Sequence, residues 1–183
     1  MRGNVAAGIL DSYQRERQPL AEQILDRSRA QVALMRPSRS AHALRTIVRD
    51  LIGTADGTTY FAKRVWGVSV RYEMDGDHLL IGRSAPDFEL TDGTRLNEHL
   101  RQGPGLLLNF GQGASLQALA ERYLDQISYL RCNSNNTLGL HAMFVRHDGF
   151  VAWACNSPSD VAGAARTVSQ WLNTAGHVEG SWA

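Results

Sequence analysis

Four short apolar runs between residues 106 and 154 predict the central sheet of this protein. The sequence PGLLLNFG (104–111) contains the run Leu106 to Phe110, and a second run covers Ile127 to Leu130. The last two, Ala142 to Val145 and Phe150 to Ala154, lie within AMFVRHDGFVAWA (142–154). Short continuous apolar runs are typical of buried strands. The Asp148-Gly149 dipeptide between the last two runs predicts a tight hairpin, so these two strands are expected to be antiparallel.

The residues between the first two runs predict how those strands are connected. Apolar residues recur there at helical spacing, at Leu116, Leu119, Ala120, Tyr123 and Leu124, with Ser115 as the expected N-cap. Two buried strands joined by a helix are expected to be parallel, through a right-handed crossover. The combination with the hairpin predicts a mixed sheet.

Further elements surround these strands. A short strand is expected at Phe88 to Leu90, followed by a turn at Thr91-Asp92-Gly93, and a last helix is expected from Pro158 onward. We therefore predict an α/β fold, a thioredoxin-like mixed sheet with flanking helices over residues 83–175, preceded by an α-helical segment. Residues 176–183 are assigned to a tail.

The N-terminal segment, residues 1–66, is predicted to be helical. Its residues favour helix from Val5 to Met35, but Pro19 is expected to break this stretch into one helix ending near Arg17 and another beginning near Gln18. A second amphipathic helix is predicted, with Ser40 as its N-cap and Gly53 as its last boundary. Its apolar face comprises Leu44, Ile47, Val48, Leu51 and Ile52.

A short helix after Thr54 and a connector, residues 67–82, are expected to link the helical segment to the sheet. This stretch carries the turn Asp75-Gly76-Asp77 and four aromatic residues, Tyr60, Phe61, Trp66 and Tyr72. Exposed aromatic rings are unfavourable, so we expect these four rings to pack against a neighbouring core.

Composition and charge exclude several classes of function. The 183 residues include 19 Lys and Arg against 18 Asp and Glu, and this net charge of +1 gives no basis for binding nucleic acid or an anionic membrane. The N-terminus lacks the pattern of an export signal, and no apolar run reaches 18 residues. With only Cys132 and Cys155, a disulfide scaffold is not expected. We predict a cytoplasmic protein.

Thiol redox chemistry, which a thioredoxin-like fold suggests, has no suitable residues here. The loop after the first central strand, Gly111 to Ser115, contains no cysteine, and the strand that begins at Leu140-His141-Ala142 has no preceding proline. Cys132 follows one strand and Cys155 ends another, so both thiols are expected to be unreactive. A thiol oxidoreductase is therefore the weakest of the alternatives.

No metal site or phosphate loop is predicted either. The spacing of the two cysteines matches no common zinc pattern, and the loop at 111–115 lacks the residues of a nucleotide-binding loop. The four histidines near turns and strand ends are expected to be structural: His78, His99, His141 and His147. We accordingly assign no catalytic, cofactor-binding or metal-binding residue to this chain.

Several stretches together resemble the C-terminal part of FAD-dependent aromatic hydroxylases of the p-hydroxybenzoate hydroxylase type, particularly those that modify aromatic polyketides. The resemblance is carried, in order, by Arg2-Gly3-Asn4, Leu10 to Pro19, Val70-Arg71-Tyr72, Gly82 to Asp87 with Asp92-Gly93, Leu106 to Phe110, and Val145 to Trp153. It covers nearly the whole chain.

The resemblance implies that residues 1–66 complete a flavin-binding domain and that residues 83–175 form an appended thioredoxin-like domain without redox cysteines. The complete enzyme would use FAD, NAD(P)H and O₂ to hydroxylate an aromatic polyketide or phenolic ring, with the flavin supplying the chemistry. This chain has no Gly-x-Gly-x-x-Gly after an initial strand. It is therefore expected to bind no cofactor alone and to have a scaffold or assembly role.

Two hypotheses follow, and they differ in what covers the apolar helix faces. As part of a monooxygenase, the chain would expose these faces to the missing flavin-binding and substrate domains, in the same or a separate chain, or to a homo-oligomer. The alternative is a free-standing, non-redox thioredoxin-like binding or assembly module. In that case the faces with Ile24, Val32, Leu44, Ile47 and Leu51 would be buried on its own sheet.

Overall fold

The computed structural model describes residues 8–101, 103–123, 126–134, 136–158 and 161–173. The chain divides into two compact units, Leu10–Val70, which we call the helical unit, and a second unit that begins at Arg71, which we call the sheet unit. The predicted tail at 176–183, Leu124 and Arg2-Gly3-Asn4 lie outside the described residues. The predicted domain boundaries stay predictions.

The helical unit consists of three helices, as expected from its apolar periodicity. They are α1 (Gly8–Met35), α2 (Arg39–Ile52) and α3 (Ala55–Val65). Gly53 ends α2, as predicted, and its N–H donates to the carbonyl of Arg49 at 3.0 Å. Thr54 then caps α3, because its hydroxyl accepts a hydrogen bond from the N–H of Gly57 at 3.0 Å.

The predicted break at Pro19 is wrong, because α1 continues through this residue. A proline within a helix removes one backbone hydrogen bond, while the bonds on either side remain. Side-chain hydrogen bonds span the position: Gln14 donates to Gln18 at 3.3 Å, and Gln18 donates to Glu22 at 3.2 Å. These i,i+4 pairs support the helix where the proline weakens it.

The predicted N-cap of α2 is also wrong, because Ser38 and not Ser40 occupies that position. Ser38 has an extended backbone with φ −131° and ψ 155°, and its Oγ accepts a hydrogen bond from the N–H of Ala41 at 3.1 Å. Capping requires this extended conformation three residues before the bonded N–H. Ser40 already lies within the helix.

The sheet unit contains four strands and three helices among its described residues. In chain order they are α4 (Leu96–Leu100), β1 (Gly105–Asn109), α5 (Ser115–Glu121), β2 (Ile127–Arg131), β3 (Ala142–Val145), β4 (Val151–Cys155) and α6 (Val161–Asn173). The sheet order is β2-β1-β3-β4, with β1 and β2 parallel and the other pairs antiparallel. The mixed sheet and its flanking helices confirm the predicted fold class, while the thioredoxin-like assignment stays a prediction.

The hairpin between β3 and β4 forms at the predicted dipeptide. The N–H of Arg146 donates to the carbonyl of Phe150 at 2.8 Å, and the N–H of Gly149 donates back to Arg146 at 2.9 Å. Gly149 has φ +84°, a conformation that glycine adopts without steric cost. The pairing register shifts between Phe144 and Val145, so one extra residue of β4 forms a bulge beside the turn.

Two predicted features of the sheet unit differ in the structure. Residues 88–90 form only isolated bridges and no regular strand, because Leu90 bonds to Thr94 at 2.9 Å and Leu96 bonds to Phe88 at 3.0 Å in the following segment. The predicted cap Ser115 is wrong as well. Ala114, the residue before α5, has a helical backbone, so Ser115 lies in the first turn and makes no cap.

The core lies on both faces of the sheet. One face packs Leu107 and Phe144 against α5 and α6, and the other packs Leu108 and Val151 against Leu96. All five side chains are at most 1% exposed. Among the described residues, no helix has the length and apolar content needed to cross a membrane.

Candidate functional site

Asn109 organises the loop that follows β1, residues 111–115. Asn109 is the last residue of β1 and is fully buried. Its Nδ2 donates to the carbonyl of Gly113 at 3.2 Å and to the Tyr129 hydroxyl at 3.0 Å, while its Oδ1 accepts from the N–H of Gly111 at 2.8 Å. One side chain therefore holds both ends of the loop and the neighbouring strand.

His141 closes the other side of this loop. Its carbonyl accepts from the N–H of Phe110 at 2.9 Å, and its own N–H donates to Cys155 at 2.8 Å. Its ring lies against Gly111 so closely that a Cβ on that glycine would come within 2.0 Å of Cε1. The N–H of Phe110 and both backbone groups of His141 are thus already paired within the chain.

The second strand contributes one further contact to this loop. Arg131, at the end of β2, donates a hydrogen bond to the Gln112 side chain. Sequence reasoning found neither this contact nor the role of Asn109. A signal was available for Asn109, because a polar residue that ends a buried apolar run and precedes a glycine-rich loop needs local hydrogen-bond partners.

Neither cysteine is placed for thiol chemistry. Burial, with a smaller contribution from the Asp92 carboxylate, raises the pKa of the Cys132 thiol to about 11, so this group is protonated at neutral pH. Cys155 is buried at the end of β4, and neither cysteine forms a disulfide bond among the described residues. Nucleophilic and redox chemistry needs the thiolate, which this environment disfavours at Cys132.

Three of the histidines contact neighbouring groups in the protein. His78 bonds to Asn156 Oδ1 at 3.1 Å and accepts the N–H of Leu80 at 3.2 Å. His99 bonds to the Thr94 hydroxyl at 3.0 Å, His141 packs on the loop as described, and His147 is exposed in the hairpin turn. Within the part of the chain that the structure describes, no group of three or more His, Cys, Asp or Glu side chains could hold a metal ion.

The helical unit contains a different kind of candidate site, an exposed apolar surface. The residues expected on the apolar faces of its helices are 47–60% exposed: Ile24, Val32, Leu44, Ile47 and Leu51. Single exposed apolar residues are common, but a set along two helices marks an interaction surface. The helical unit by itself therefore does not bury these five side chains, and the burial on the sheet that the free-standing module requires stays a prediction.

The prediction for the four aromatic residues is confirmed at one position only. Tyr72 is buried, and its ring centroid lies 4.3 Å from that of Phe150. Tyr60, Phe61 and Trp66 are exposed, so the expected packing against a core is wrong for them. Tyr60 and Phe61 contact each other edge to face instead, because they are neighbours on the exposed side of α3.

Comparison with known proteins gives a consistent result. Residues 78–175 match the family model described as the C-terminal part of aromatic-ring hydroxylases. The chain is 37% identical over 174 residues to a monooxygenase of Claviceps purpurea, covering 94% of this chain and 34% of the relative. It is 30% identical over 178 residues to the anhydrotetracycline monooxygenase of Streptomyces rimosus, covering 93% and 35%.

A solved structure extends this similarity to three dimensions. The chain matches CabE, an aromatic hydroxylase from angucycline biosynthesis, with a TM-score of 0.82 and 30% identity, over 95% of this chain and 37% of CabE. The chain spans about a third of the length of the curated relatives it matches. Both units, and not only residues 78–175, lie within the region of similarity.

Proposed function

The chain belongs to the aromatic-ring hydroxylase C-terminal family, and from that membership we propose that it forms the C-terminal part of a monooxygenase. The substrate of the complete enzyme is an aromatic polyketide or a related phenolic ring. The observation that carries this proposal is the similarity to named monooxygenases over 93–94% of the chain. The matched region includes residues of both units, so both units support the proposal.

We propose that the complete enzyme uses FAD, NAD(P)H and O₂. Among the described residues, the glycine-containing loop after β1 does not fit FAD. The glycine-containing loop after β1 is closed by Asn109 and His141, and the sequence has no Gly-x-Gly-x-x-Gly. The flavin, which supplies the oxygen-transfer chemistry when bound, is therefore assigned to the portion of the longer relatives that this chain does not cover.

The contribution of this chain is a scaffold and docking role. The sheet unit buries its own core on both faces, whereas the helical unit leaves Leu44, Ile47 and Leu51 about half exposed. Apolar surface of this kind is stabilised when another surface covers it. The flavin-binding and substrate domains, or a second copy in a homo-oligomer, are the partners that this role calls for.

We also propose that the protein acts in the cytoplasm. Neither cysteine forms a disulfide bond among the described residues, which is typical of proteins in reducing compartments. The near-neutral net charge of +1 supports the further proposal that the chain binds neither nucleic acid nor a membrane surface.

The proposal is tested first on the gene and then on the protein. The DNA upstream of the Met1 codon is sequenced, and the protein in the source cell is sized with an antibody raised against this chain. We expect an in-frame extension of several hundred residues that contains a strand followed by Gly-x-Gly-x-x-Gly, or a separate chain that supplies those domains.

The second step is an activity measurement on the native protein isolated with that antibody. We expect bound FAD and an NAD(P)H-dependent uptake of O₂ that phenolic compounds stimulate. A 20 kDa protein that co-purifies with no flavoprotein and shows no such uptake would contradict the proposal and support a free-standing module.

A further inference from the structure

Two exposed arginines, Arg71 and Arg83, lie opposite each other in the sheet unit. They form an isolated antiparallel bridge, beside which the N–H of Tyr72 donates to the carbonyl of Gly82 at 2.7 Å. Residues opposite each other in such a pair have Cβ atoms about 5 Å apart and side chains on the same face. The bridge therefore places two positive charges side by side at the surface.

Gly82 allows the two chain segments to approach this closely. A Cβ at this position would lie 2.0 Å from the carbonyl oxygen of Tyr72 and 3.2 Å from Cγ of Arg71, and the backbone of Gly82 has φ +79°. Both features favour glycine. The chain thus keeps the two arginines next to each other, although like charges directly opposite each other are destabilising.

Both guanidinium groups are held in place by the same turn, residues 79–82. Arg71 Nε donates to the carbonyl of Ile81 at 3.2 Å, and Arg83 Nε donates to the carbonyl of Leu79 at 3.1 Å. These bonds use the Nε–H of each side chain and leave the N–H groups on the Nη atoms for other partners. The paired Nη–H groups of an arginine are suited to binding a carboxylate or a phosphate through two oxygens.

Among the described residues, no carboxylate neutralises this pair of arginines. The acidic residues that lie nearest in the sequence, Glu73, Asp75 and Asp77, form no ion pair with either guanidinium. Arg95 in the same unit differs, because it pairs with Asp87 at 2.7 Å. An anion that bridges the two guanidinium groups would offset the repulsion between them.

From these observations we propose that Arg71 and Arg83 form a binding site for a phosphate group. A phosphate dianion has the charge to neutralise both guanidinium groups and enough oxygens to accept N–H groups from each of them, whereas a carboxylate carries a single charge. The turn already positions both side chains, so binding requires little further ordering. The phosphate is either free or part of a small compound such as a nucleotide. This site does not depend on the proposed function.

The test measures the binding of inorganic phosphate to the complete 183-residue chain by titration calorimetry at constant ionic strength. Arg71→Gln and Arg83→Gln each remove one charged donor group, and each is expected to weaken phosphate binding about tenfold or more. Arg122→Gln is the matched control, because it removes the same charge from an exposed side chain elsewhere in the sheet unit. Its affinity for phosphate is expected to stay within about twofold of the wild type.

A further variant, Arg83→Lys, separates the charge from the geometry of the donors. Lysine keeps the charge but lacks the paired Nη–H groups, so we expect this variant to bind phosphate more weakly than the wild type and more tightly than Arg83→Gln. Circular dichroism and urea unfolding check that each variant is folded. A purely structural role of these arginines would change the unfolding midpoint and leave the phosphate affinity of the folded variants unchanged.

Two further probes, adenosine 2′,5′-bisphosphate and succinate, identify the kind of anion. Tighter binding of the bisphosphate than of inorganic phosphate, with the same dependence on Arg71 and Arg83, would support the site and identify a nucleotide phosphate as its ligand. Equal affinities for these two probes would support the site and identify free phosphate.

Three outcomes would overturn the proposal. They are the absence of binding by either phosphate probe at millimolar concentration, equal phosphate affinities of the wild type and both glutamine variants, and binding of succinate as tight as that of phosphate. The last outcome would make the pair a carboxylate site. None of them bears on the proposed function, which is decided separately by the gene extension and the flavin content.

Discussion

Apolar side chains in the two units of this chain have opposite exposures. Leu107 and Leu108 in the sheet unit are completely buried, whereas Ile47 and Leu51 in the helical unit are 57% and 56% exposed. The first pair comes from a continuous apolar run in the sequence and the second from a helical periodicity. The difference shows that a pattern predicts which side chains need to be covered, and that it does not identify the part of the protein that covers them.

The physical origin of this difference is the number of layers in each unit. The sheet is covered on one face by α5 and α6 and on the other by α4 and the segment around Phe88, so it completes a layered core within the chain. The helical unit packs α2 on α3 and buries one apolar residue of α2, Ala41. It is the part of the chain to which the proposed docking role is assigned.

The largest effect that distinguishes the units is expected for Leu108→Ala. This residue lies in β1, which pairs with strands on both sides, and its truncation is expected to cost about 2–5 kcal/mol through lost burial and an unfilled cavity. Ile47→Ala is the matched control and is expected to cost less than about 1 kcal/mol in the isolated chain. Urea unfolding measures both, and equal costs would contradict the comparison.

A smaller loss of stability is expected for Gly111→Ala in the loop after β1. The new Cβ would lie 2.0 Å from the His141 ring, so the ring must move, at a cost of about 1–3 kcal/mol. Gly113→Ala is the control, because its Cβ would meet Ser115 Oγ at an ordinary 3.7 Å. In thermal unfolding, the Gly113→Ala variant is expected to have a Tm close to that of the wild type. If both variants match the wild type, the loop is not closed as described.

Asp148→Ala, in the hairpin of the sheet unit, is expected to lower the free energy of unfolding by about 1 kcal/mol. The Asp148 carboxylate accepts hydrogen bonds from Arg146 at 2.8 Å and from the N–H of Phe150 at 3.3 Å. The guanidinium of Arg146 also lies over the Trp171 ring, 3.9 Å from its centroid, so the contact extends to α6. His147→Ala, in the same turn but exposed, serves as the control in chemical denaturation. An equally large loss of stability in His147→Ala would show that the effect comes from the backbone of the turn and not from the Asp148 carboxylate.

The smallest effect is expected for Asp87→Asn, and it depends on pH. Partial burial raises the pKa of Asp87, but hydrogen bonds from Arg95 at 2.7 Å and from the N–H of Asn97 at 3.0 Å outweigh it, so the pKa lies below its ordinary value of 3.8. The carboxylate therefore stabilises the fold above that ordinary value, and this stability is lost as pH falls through the lowered pKa.

The predicted measurement for Asp87 is a difference of a few tenths of a kcal/mol between wild type and variant at pH 7, because the side chain is partly exposed to solvent. The difference should shrink as the pH is lowered below about 4 in a series of urea titrations. A difference that grows on acidification would mean that the group is destabilising when charged.

The elements that the sequence predicted well are those with strong local signals. The buried runs at 106–110 and 127–130 became β1 and β2, and Asp148-Gly149 formed the expected hairpin. The errors came where two local signals compete. Pro19 weakens a helix that its neighbours support. Ser38 and Ser40 are both of a residue type that favours the N-cap, and they lie two positions apart, so the sequence alone did not identify Ser38 as the cap.

The candidate sites were predicted only in part. The absence of cysteine in the loop at 111–115 is visible in the sequence, but the closure of that loop depends on Asn109 and His141, which lie 32 positions apart. Contacts between distant residues need the strand order, which no local pattern provides. The exposed rings of Tyr60 and Trp66 were missed for a related reason, because burial depends on what is packed nearby.

Hydrogen exchange of the isolated 183-residue chain tests the central claim most directly, namely that the sheet unit is self-sufficient and the helical unit needs an external cover. The account predicts slow amide exchange in β1 and β3, residues 105–109 and 142–145, and fast exchange in α1 and α2. Equal protection of α1, α2 and the strands in the isolated chain would contradict it.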